Sequence, residues 1–277
     1  MTPRIASLVP SLTELLIVLG LQEHLVARTG FCIHPAEAVR AIPKVGGTKD
    51  VNLAKLRRLA PTHVLVNVDE NRRETVEALQ AWPEAERPQV IVTHPIAPED
   101  NLRLIEQMLQ AFGELPGVAE RAQACRAEFT HELALTQAQQ HAVQTALYLI
   151  WREPWMTVAR DTYISRMLAC VNWHTLPDAT GGDHGAGRYP VLRGDEAWLA
   201  DVQQVLLSSE PYAFGAQHLD AARELCPHAA VRLVDGEALS WYGPRAVRGL
   251  RLLRELARGT DAGHYTAMTH HTERKRE

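Results

Sequence analysis

The sequence Pro116-Gly-Val-Ala-Glu-Arg-Ala-Gln-Ala-Cys-Arg-Ala-Glu-Phe-Thr-His-Glu-Leu-Ala-Leu-Thr-Gln-Ala-Gln-Gln140, near the middle of the chain, is typical of one long α-helix. Its apolar residues recur at steps of four, three, four and four, as one stripe of a helix requires: Val118, Ala122, Cys125, Phe129 and Leu133. Pro116 suits the first helical turn, where its missing N–H costs nothing. At about 1.5 Å per residue this helix is roughly 35 Å long, about the diameter of a small domain.

The segments on the two sides of this helix share one pattern. Apolar, β-branched runs occur three times in each half, at residues 4–9, 62–70 and 88–95 and again at 146–151, 202–210 and 230–236. Helical stretches separate these runs, and such alternation favours parallel sheets built from βαβ units. We therefore predict an α/β fold with two pseudo-symmetric βαβ-type lobes, each with a central parallel sheet, joined by one long backbone helix.

The same pattern sets the predicted domain boundaries. Residues 1–115 form the first lobe, 116–140 the bridging helix and 141–258 the second lobe. Residues 259–277 show no periodicity and are predicted to be a disordered tail.

Composition and charge exclude several classes of protein. The 277 residues carry a net charge of −4, which gives no electrostatic reason to expect a nucleic-acid partner. No apolar run reaches the roughly 18 residues that a membrane span needs. The strand-like run from residue 4 leaves no room for a secretory signal. As written, the sequence predicts a soluble, cytoplasmic protein, unless a leader was removed before residue 1.

The four cysteines are scattered and form no C-x-x-C pair, so they indicate neither a zinc knuckle nor a disulfide framework. Cys32 and His34 are two residues apart and would need further ligands from elsewhere to hold a metal. We interpret them as a packed cysteine and a hydrogen-bonding histidine.

Two stretches of the first half follow strand-like runs and precede helical ones. Pro10-Ser-Leu-Thr-Glu14 resembles the start of a helix, with Ser11 and Glu14 as a capping box. A helix start at the carboxyl end of a strand is a common ligand site in α/β proteins, although a plain cap is the simpler interpretation. Lys44-Val-Gly-Gly-Thr-Lys49 lacks the spacing of a phosphate loop, and its backbone is expected to approach a ligand or a neighbouring segment.

The most unusual run of the second half is Trp151-Arg-Glu-Pro-Trp-Met-Thr-Val-Ala-Arg-Asp-Thr-Tyr163. It combines two Trp, one Met and one Tyr with charged residues, directly after a strand-like run. Flat amphipathic side chains beside fixed donors suit a pocket for a large ring-shaped ligand, and we favour this interpretation over a core segment.

Several motifs together resemble a known family. They are Arg4-Ile-Ala-Ser-Leu-Val-Pro-Ser-Leu-Thr-Glu-Leu-Leu16, Val45-Gly-Gly-Thr-Lys49, Glu70-Asn-Arg-Arg73, Trp151-Arg-Glu-Pro-Trp-Met156, Asp161-Thr-Tyr-Ile164, Leu207-Ser-Ser-Glu-Pro-Tyr212 and Asp235-Gly-Glu-Ala-Leu-Ser-Trp-Tyr-Gly243. In this order, over about residues 4–257, they resemble the cobalamin-binding branch of ABC-importer substrate-binding proteins. These are helical-backbone, two-lobed proteins of the periplasmic-binding-protein type.

The resemblance implies a monomeric, non-enzymatic protein with no required cofactor or bound metal, which holds its ligand in the cleft between two lobes. It implies small lobe motions, a periplasmic location and docking of lobe-top glutamates on an ABC permease. The implied ligand-binding residues are Pro10, Ser11, Thr48, Lys49, Asn67 to Glu70, Trp151, Arg152, Trp155, Ser208, Glu210, Glu237 and Trp241. The implied docking residues are Glu70 or Glu74 in the first lobe and Glu210 in the second.

One segment departs from the family pattern. Better-known cobalamin binders use an acid and a basic residue near the start of the last helix, where this chain has Glu237 and Trp241. The expected ligand is therefore cobalamin, a similar corrinoid or another large planar metal chelate.

Three alternatives stay open at the level of sequence. A tetrapyrrole chelatase would need a facing His and Glu, such as His34 or His94 with Glu210 or Glu237. A free-metal receptor would need three or four ligands from both lobes, for which His34, His94 and Asp235 are available. A cytoplasmic carrier or sensor would keep the fold without a transporter.

Overall fold

The computed structural model describes residues 2–182 and 185–259, which form two α/β lobes joined by one helix. Each lobe contains a four-stranded parallel sheet, and the strand order of the first sheet is repeated in the second. The predicted fold class is therefore confirmed. The predicted disordered tail, from residue 260 onward, lies outside the described residues.

The first lobe holds strands β1 (Ile5–Ser7), β2 (Leu25–Arg28), β3 (His63–Asn67) and β4 (Gln89–Thr93), in the spatial order β2-β1-β3-β4. Its helices are α1 (Pro10–Val18), α2 (Ala36–Val39), α3 (Leu53–Arg58), α4 (Arg73–Gln80) and α5 (Asp100–Phe112). Helix α6 (Val118–Gln137) is the bridge.

The second lobe holds strands β5 (Gln144–Leu149), β6 (Trp173–Thr175), β7 (Gln204–Ser208) and β8 (Ala230–Val234), in the order β6-β5-β7-β8. Its helices are α7 (Tyr163–Ala169), α8 (Leu219–Leu225), α9 (Gly236–Ser240) and α10 (Pro244–Ala257). Short 3-10 turns occur at Gln22–His24, Glu84–Glu86, Ala186–Arg188, Ala197–Asp201 and Ala216–His218.

The bridging helix begins two residues later than its sequence predicts. Gly117 has φ +73°, a left-handed conformation outside helical geometry, so Pro116 precedes the helix instead of forming its first turn. A Cβ on Gly117 would also lie 2.7 Å from the guanidinium of Arg121. Arg121 uses that space to donate from Nη2 to the carbonyl of Pro116 at 3.1 Å and from Nε to that of Leu19 at 2.8 Å, which fastens the helix to the first lobe.

A different contact fastens the bridging helix to the second lobe. The Glu132 carboxylate is buried and accepts hydrogen bonds from Arg251 and Arg254 of α10, at 2.9 and 2.6 Å. Burial acts to raise the pKa of Glu132, but the two arginines outweigh it and the pKa is lowered overall. Glu132 is thus ionised and paired inside the helix–helix contact.

The predicted capping box at the start of α1 is wrong. Pro10 is the first residue of the helix, Val9 occupies the N-cap position, and no side chain caps the helix. Ser11 therefore lies inside the first turn, where its Oγ cannot reach the N–H groups that an N-cap residue accepts from.

The largest apolar cluster extends through both lobes and the bridge. It includes Leu15 of α1, Phe129 of α6 and Leu253 of α10, all of them buried. Two smaller clusters each belong to one lobe, around Val64 in the first and Val205 in the second. Because the inner core is shared, a wide separation of the lobes would expose apolar surface.

Candidate functional site

The two lobes meet in front of the carboxyl ends of their strands. Asp69 and Glu70 follow β3, and Tyr242 follows the helix after β8. The Tyr242 hydroxyl donates to Glu70 Oε1 at 2.8 Å, and Arg188 Nη2 donates to Asp69 Oδ2 at 3.4 Å, both between the lobes. The loops at the carboxyl ends of the two sheets therefore face each other across a cleft, the usual ligand position in open α/β sheets.

Polar residues of both lobes meet where the lobes contact each other in this cleft, and we call this set the floor: Asp69, Glu70, Glu210, Glu237, Trp241 and Tyr242. Burial raises the pKa of Glu70 to about 7, and the nearby Glu210 adds to this, whereas the hydrogen bond from Tyr242 and the charge of Lys49 act against it. The Glu70 carboxyl group therefore titrates near neutral pH.

Glu210 is the counterpart of Glu70 on the second lobe. Its carboxylate accepts hydrogen bonds from Trp241 Nε1 and from Ser240 Oγ. Burial and the charge of Glu237 together raise the pKa of Glu210 to about 7, against the hydrogen bonds from Trp241 and Ser240. Because the charge of Glu210 acts on Glu70, the two carboxylates with raised pKa values lie within electrostatic reach of each other.

A chain of charged side chains closes one side of the floor. Arg245 of α10 donates from Nε to Glu14 of α1 at 2.6 Å and from Nη1 to Glu237. A hydrogen bond of 3.2 Å joins Glu237 to His34 Nε2 of the first lobe. Burial acts to raise the pKa of Glu237, but His34 and Arg245 outweigh it, so the pKa is lowered.

Three polar atoms near the floor are buried and have no hydrogen bond of normal geometry in the part of the chain that the structure describes. They are Ser11 Oγ, His94 Nε2 and Arg188 Nε. Ser11 lies beside Tyr242, and His94 Nε2 is 3.7 Å from the Asp69 carboxylate. Arg188 is only 2% exposed, and its Nη1 donates to the carbonyl of Gly182 at 2.9 Å. Buried polar atoms without partners are costly, which makes them candidates to meet a ligand.

Exposed apolar side chains, which we call the rim, flank the floor on the first lobe. Phe31 and Ile33 are 54% and 50% exposed and lie in the loop after β2 that also carries His34. Val68 is 40% exposed and immediately precedes Asp69. Sequence reasoning missed Phe31 and Ile33, whereas Val68 lies within the implied range Asn67 to Glu70. The alternation of Phe31 and Ile33 around the buried Cys32 is the only signal that distinguishes them in the sequence.

The second lobe completes the rim. Trp151, directly after β5, is 41% exposed, and Val191 is 55% exposed. Met156 connects them, because it forms isolated β-bridges with both residues. The ring of Trp151 contacts Tyr212 edge-on, with centroids 5.5 Å apart. The predicted aromatic segment thus lies at the cleft, with one ring open to solvent.

The other aromatic residues of this region contact one another. Trp155 stacks on Phe214 with centroids 5.9 Å apart, and the guanidinium of Arg152 lies 5.4 Å from the Trp155 ring. Phe214 also contacts Tyr212 at 4.7 Å and His218 at 5.4 Å. This packing stabilises the loops that carry Trp151 and Glu210.

Several predicted site residues serve to position others. Asn67 Oδ1 accepts from the backbone N–H groups of Asp69 and Glu70, which forms the turn after β3. Lys49 Nζ donates to the Asp69 carbonyl at 2.7 Å, and the Thr48 carbonyl accepts from Asn71.

Two further predicted residues are enclosed. Ser208 is fully buried, accepts from the Tyr148 hydroxyl at 2.9 Å and donates to the Glu210 carbonyl at 2.6 Å. Pro10 is buried as the first residue of α1. The three predicted docking residues differ in exposure, because Glu74 is exposed in the first turn of α4 whereas Glu70 and Glu210 are hydrogen-bonded at the floor.

The residues named for a free-metal receptor do not converge. In residues 2–182 and 185–259 no group of three or more His, Cys, Asp or Glu side chains is arranged to hold a metal ion. Asp235 caps α9 and pairs with Arg248 at 2.7 Å. Cys32 is buried against Thr29, whereas His34 reaches the cleft, which agrees with a packed cysteine and a hydrogen-bonding histidine.

Two parallel-sheet lobes, one bridging helix and a cleft between facing strand ends define a two-lobed substrate-binding protein. The chain belongs to the periplasmic binding protein family, whose model matches residues 5–224. Proteins of this family bind substrates and are not enzymes. Comparison with proteins of curated function finds no significant match.

Solved structures share this fold over most of their length. The periplasmic vitamin B12 binding protein BtuF of Vibrio cholerae has a TM-score of 0.75 at 17% identity, over 94% of this chain and 98% of that one. The periplasmic heme binding protein HutB of Vibrio cholerae has a TM-score of 0.74 at 20% identity, over 92% and 99%. The periplasmic heme-binding protein RhuT from Roseiflexus sp. RS-1 has a TM-score of 0.71 at 19% identity, over 93% of this chain and 99% of that one.

A search of the helices in the described residues finds none that is long and apolar enough to cross a membrane.

Proposed function

We propose that the protein captures cobalamin, or a similar corrinoid or planar metal chelate, in the cleft between its lobes. The observation that carries this proposal is the rim, where exposed apolar side chains of both lobes flank one polar floor. A large ring with two apolar faces can contact Phe31 and Val68 on one side and Trp151 on the other.

The rim supplies enough apolar surface for useful affinity. Each 100 Å² of apolar surface removed from water contributes about 2.5 kcal/mol. A flat aromatic side chain such as Trp151 also loses little conformational entropy when it stacks on a ligand. The vitamin B12 and heme binding proteins that share the fold carry ligands of this size and shape, which supports the choice of ligand class.

The proposed role is delivery of this ligand to an ABC importer, as a periplasmic protein. Support for it is membership of the periplasmic binding protein family. Among the three docking candidates we favour Glu74, because its exposed carboxylate is free to meet a cationic residue of a permease, whereas Glu70 and Glu210 hold contacts at the floor.

Tryptophan fluorescence and isothermal titration calorimetry test the ligand directly. Cyanocobalamin, hydroxocobalamin and hemin are titrated separately into the full chain. The proposal predicts saturable, one-to-one binding of a cobalamin with a Kd at or below about 1 μM, a binding free energy near −8 kcal/mol. Absence of cobalamin binding together with tight binding of hemin would move the ligand to the heme class. Binding of none of the three would contradict the proposal.

A further inference from the structure

The floor concentrates four carboxylates from two lobes. Tyr242 holds Glu70, Trp241 holds Glu210, and the charge of Glu210 acts on Glu70. Asp69 precedes Glu70 in the first lobe. In the second lobe Glu210 lies close to Glu237, because Glu210 Cγ is 3.0 Å from the position that a Cβ on Gly236 would occupy. A ligand that reaches the floor therefore meets an acidic surface.

The cations beside this surface are already engaged. Arg188 pairs with Asp69, Arg245 pairs with Glu14 and Glu237, and Lys49 donates to a backbone carbonyl.

Neutral donors, by contrast, hold the two central carboxylates. In the described residues, Glu70 accepts from Tyr242, and Glu210 accepts from Ser240 and Trp241. A ligand carboxylate placed here would add negative charge beside four carboxylates, and like charges brought together across an interface are strongly unfavourable.

Two buried groups beside the floor have no hydrogen-bond acceptor of normal geometry in the described residues. Arg188 Nε and Ser11 Oγ are buried without partners, so a ligand group that accepts there would satisfy atoms that are otherwise costly. At the same time the carboxylates of Glu70 and Glu210 can accept further hydrogen bonds. A primary amide offers a carbonyl acceptor and two N–H donors, whereas an ionised carboxyl group offers acceptors only.

We propose that the floor selects chelates whose rings carry amide side chains over chelates whose rings carry carboxylates. Glu70 and Glu210 are the selecting residues. This inference rests on the proposed function and adds to it the chemistry of the ligand's periphery.

A matched pair of ligands isolates that chemistry. Dicyanocobinamide and dicyanocobyrinic acid share the corrin ring and cobalt, but the second carries carboxyl groups where the first carries amides. Calorimetry on the full chain at pH 8 is expected to show at least about tenfold tighter binding of the amide form. At pH 6 the preference is expected to shrink, because Glu70 and Glu210, with pKa values of about 7, become mostly protonated.

Other charged groups face the same space, and variants separate their effects. They are Asp69, Glu237, Lys49, Arg188, Arg245, His34 and His94. In a Glu70→Gln, Glu210→Gln double variant both the preference at pH 8 and its pH dependence should fall severalfold. A pH dependence that survives in this variant would assign the effect to another group of the floor and overturn our assignment.

The control removes one charge outside the cleft. Glu114 is exposed between α5 and the bridge, and Glu114→Gln should leave the preference unchanged. Equal affinity of the wild-type protein for the two corrinoids overturns the inference but leaves the proposed function standing. Binding of neither corrinoid overturns both. The wild-type comparison needs no variant, so it decides the question even if the double variant does not fold.

Discussion

The two lobes repeat one strand order, yet they present different surfaces to the cleft. The first lobe exposes Phe31, Ile33 and Val68 individually, and none of them stacks on a ring among the described residues. The second lobe gathers its aromatic residues into a packed set in which Trp155 stacks on Phe214, and only Trp151 remains open. The number of aromatic residues in a lobe therefore does not tell how many rings are exposed to a ligand.

Trp151 and Trp241 differ in the same way, although sequence analysis predicts both as ligand-binding residues. Trp151 is 41% exposed at the rim, whereas Trp241 is 9% exposed. The guanidinium of Arg245 lies 4.6 Å from the Trp241 ring, His34 contacts its edge, and its Nε1 holds Glu210. Trp241 shapes the floor, and Trp151 is placed to contact the ligand.

The largest expected effect is a loss of protein stability when Trp241, in contrast to Trp151, is replaced. Trp241→Ala should lower the free energy of unfolding by about 3–5 kcal/mol, because it leaves a cavity and removes the Nε1 donor of the buried Glu210 carboxylate. Urea denaturation followed by circular dichroism measures the loss. Trp241→Phe keeps most of the packing and should cost less. A loss below about 1 kcal/mol for the alanine variant would show that Trp241 is not structural.

A second variant tests how the bridge is fastened to the second lobe. Glu132→Ala leaves Arg251 and Arg254 without their buried partner and should cost about 3 kcal/mol of unfolding free energy. The matched control is Glu128→Ala, since Glu128 is exposed and pairs only with Arg251, so its loss should cost under about 1 kcal/mol. Equal losses in the two variants would contradict the account.

A third prediction concerns pH and the floor between the lobes. Folding raises the pKa values of Glu70 and Glu210 from 4.5 to about 7, so the folded state binds more protons than the unfolded state between those values. Their contribution to stability is fully present below pH 4.5 and is lost as the pH rises through 7.

Urea unfolding at pH 5 and pH 8 measures this effect against a variant that cannot titrate. Between pH 5 and pH 8 the free energy of unfolding should fall on the order of 2 kcal/mol more in the wild-type protein than in the Glu70→Gln, Glu210→Gln double variant. The two carboxylates interact, so they titrate as a pair. Parallel pH profiles for the two proteins would show that these carboxylates titrate normally.

The smallest effects are expected at the rim, and they should appear in binding alone. Phe31→Ala and Trp151→Ala should each change the free energy of unfolding by less than about 1 kcal/mol, because both side chains are exposed. Each should weaken cyanocobalamin binding about tenfold, measured by calorimetry. Val143→Ala, which removes an exposed side chain before β5, is the control and should change neither quantity. Unchanged affinity in both rim variants would remove the rim from the site.

The architecture is predictable from sequence because it depends on local repetition. The apolar stripe of the bridge and the paired strand-like runs indicate two lobes and one helix without any knowledge of contacts. Short elements escape this reasoning, and β6 and α7 have no clear periodic signal of their own. The predicted start of the bridge is two residues too early because Gly117 adopts a left-handed conformation, which the apolar stripe does not report.

The site is predictable only in part, because its decisive features are tertiary. Resemblance to a family indicates the strand ends that carry Glu70, Trp151 and Glu210. The bond between Glu70 and Tyr242 joins residues 172 positions apart, and no local pattern reports it. The exposure of Phe31 is likewise set by which neighbours the fold brings to the loop after β2.

A crystal structure of the protein with cyanocobalamin tests the central claim most directly. The account predicts one corrin ring between the lobes, with Phe31 and Val68 against one face and Trp151 against the other. It also predicts ring amides directed toward Glu70 and Glu210. A corrin bound elsewhere, such as along the outer face of the bridging helix, or held in the cleft without contact to Phe31 and Trp151, would contradict it.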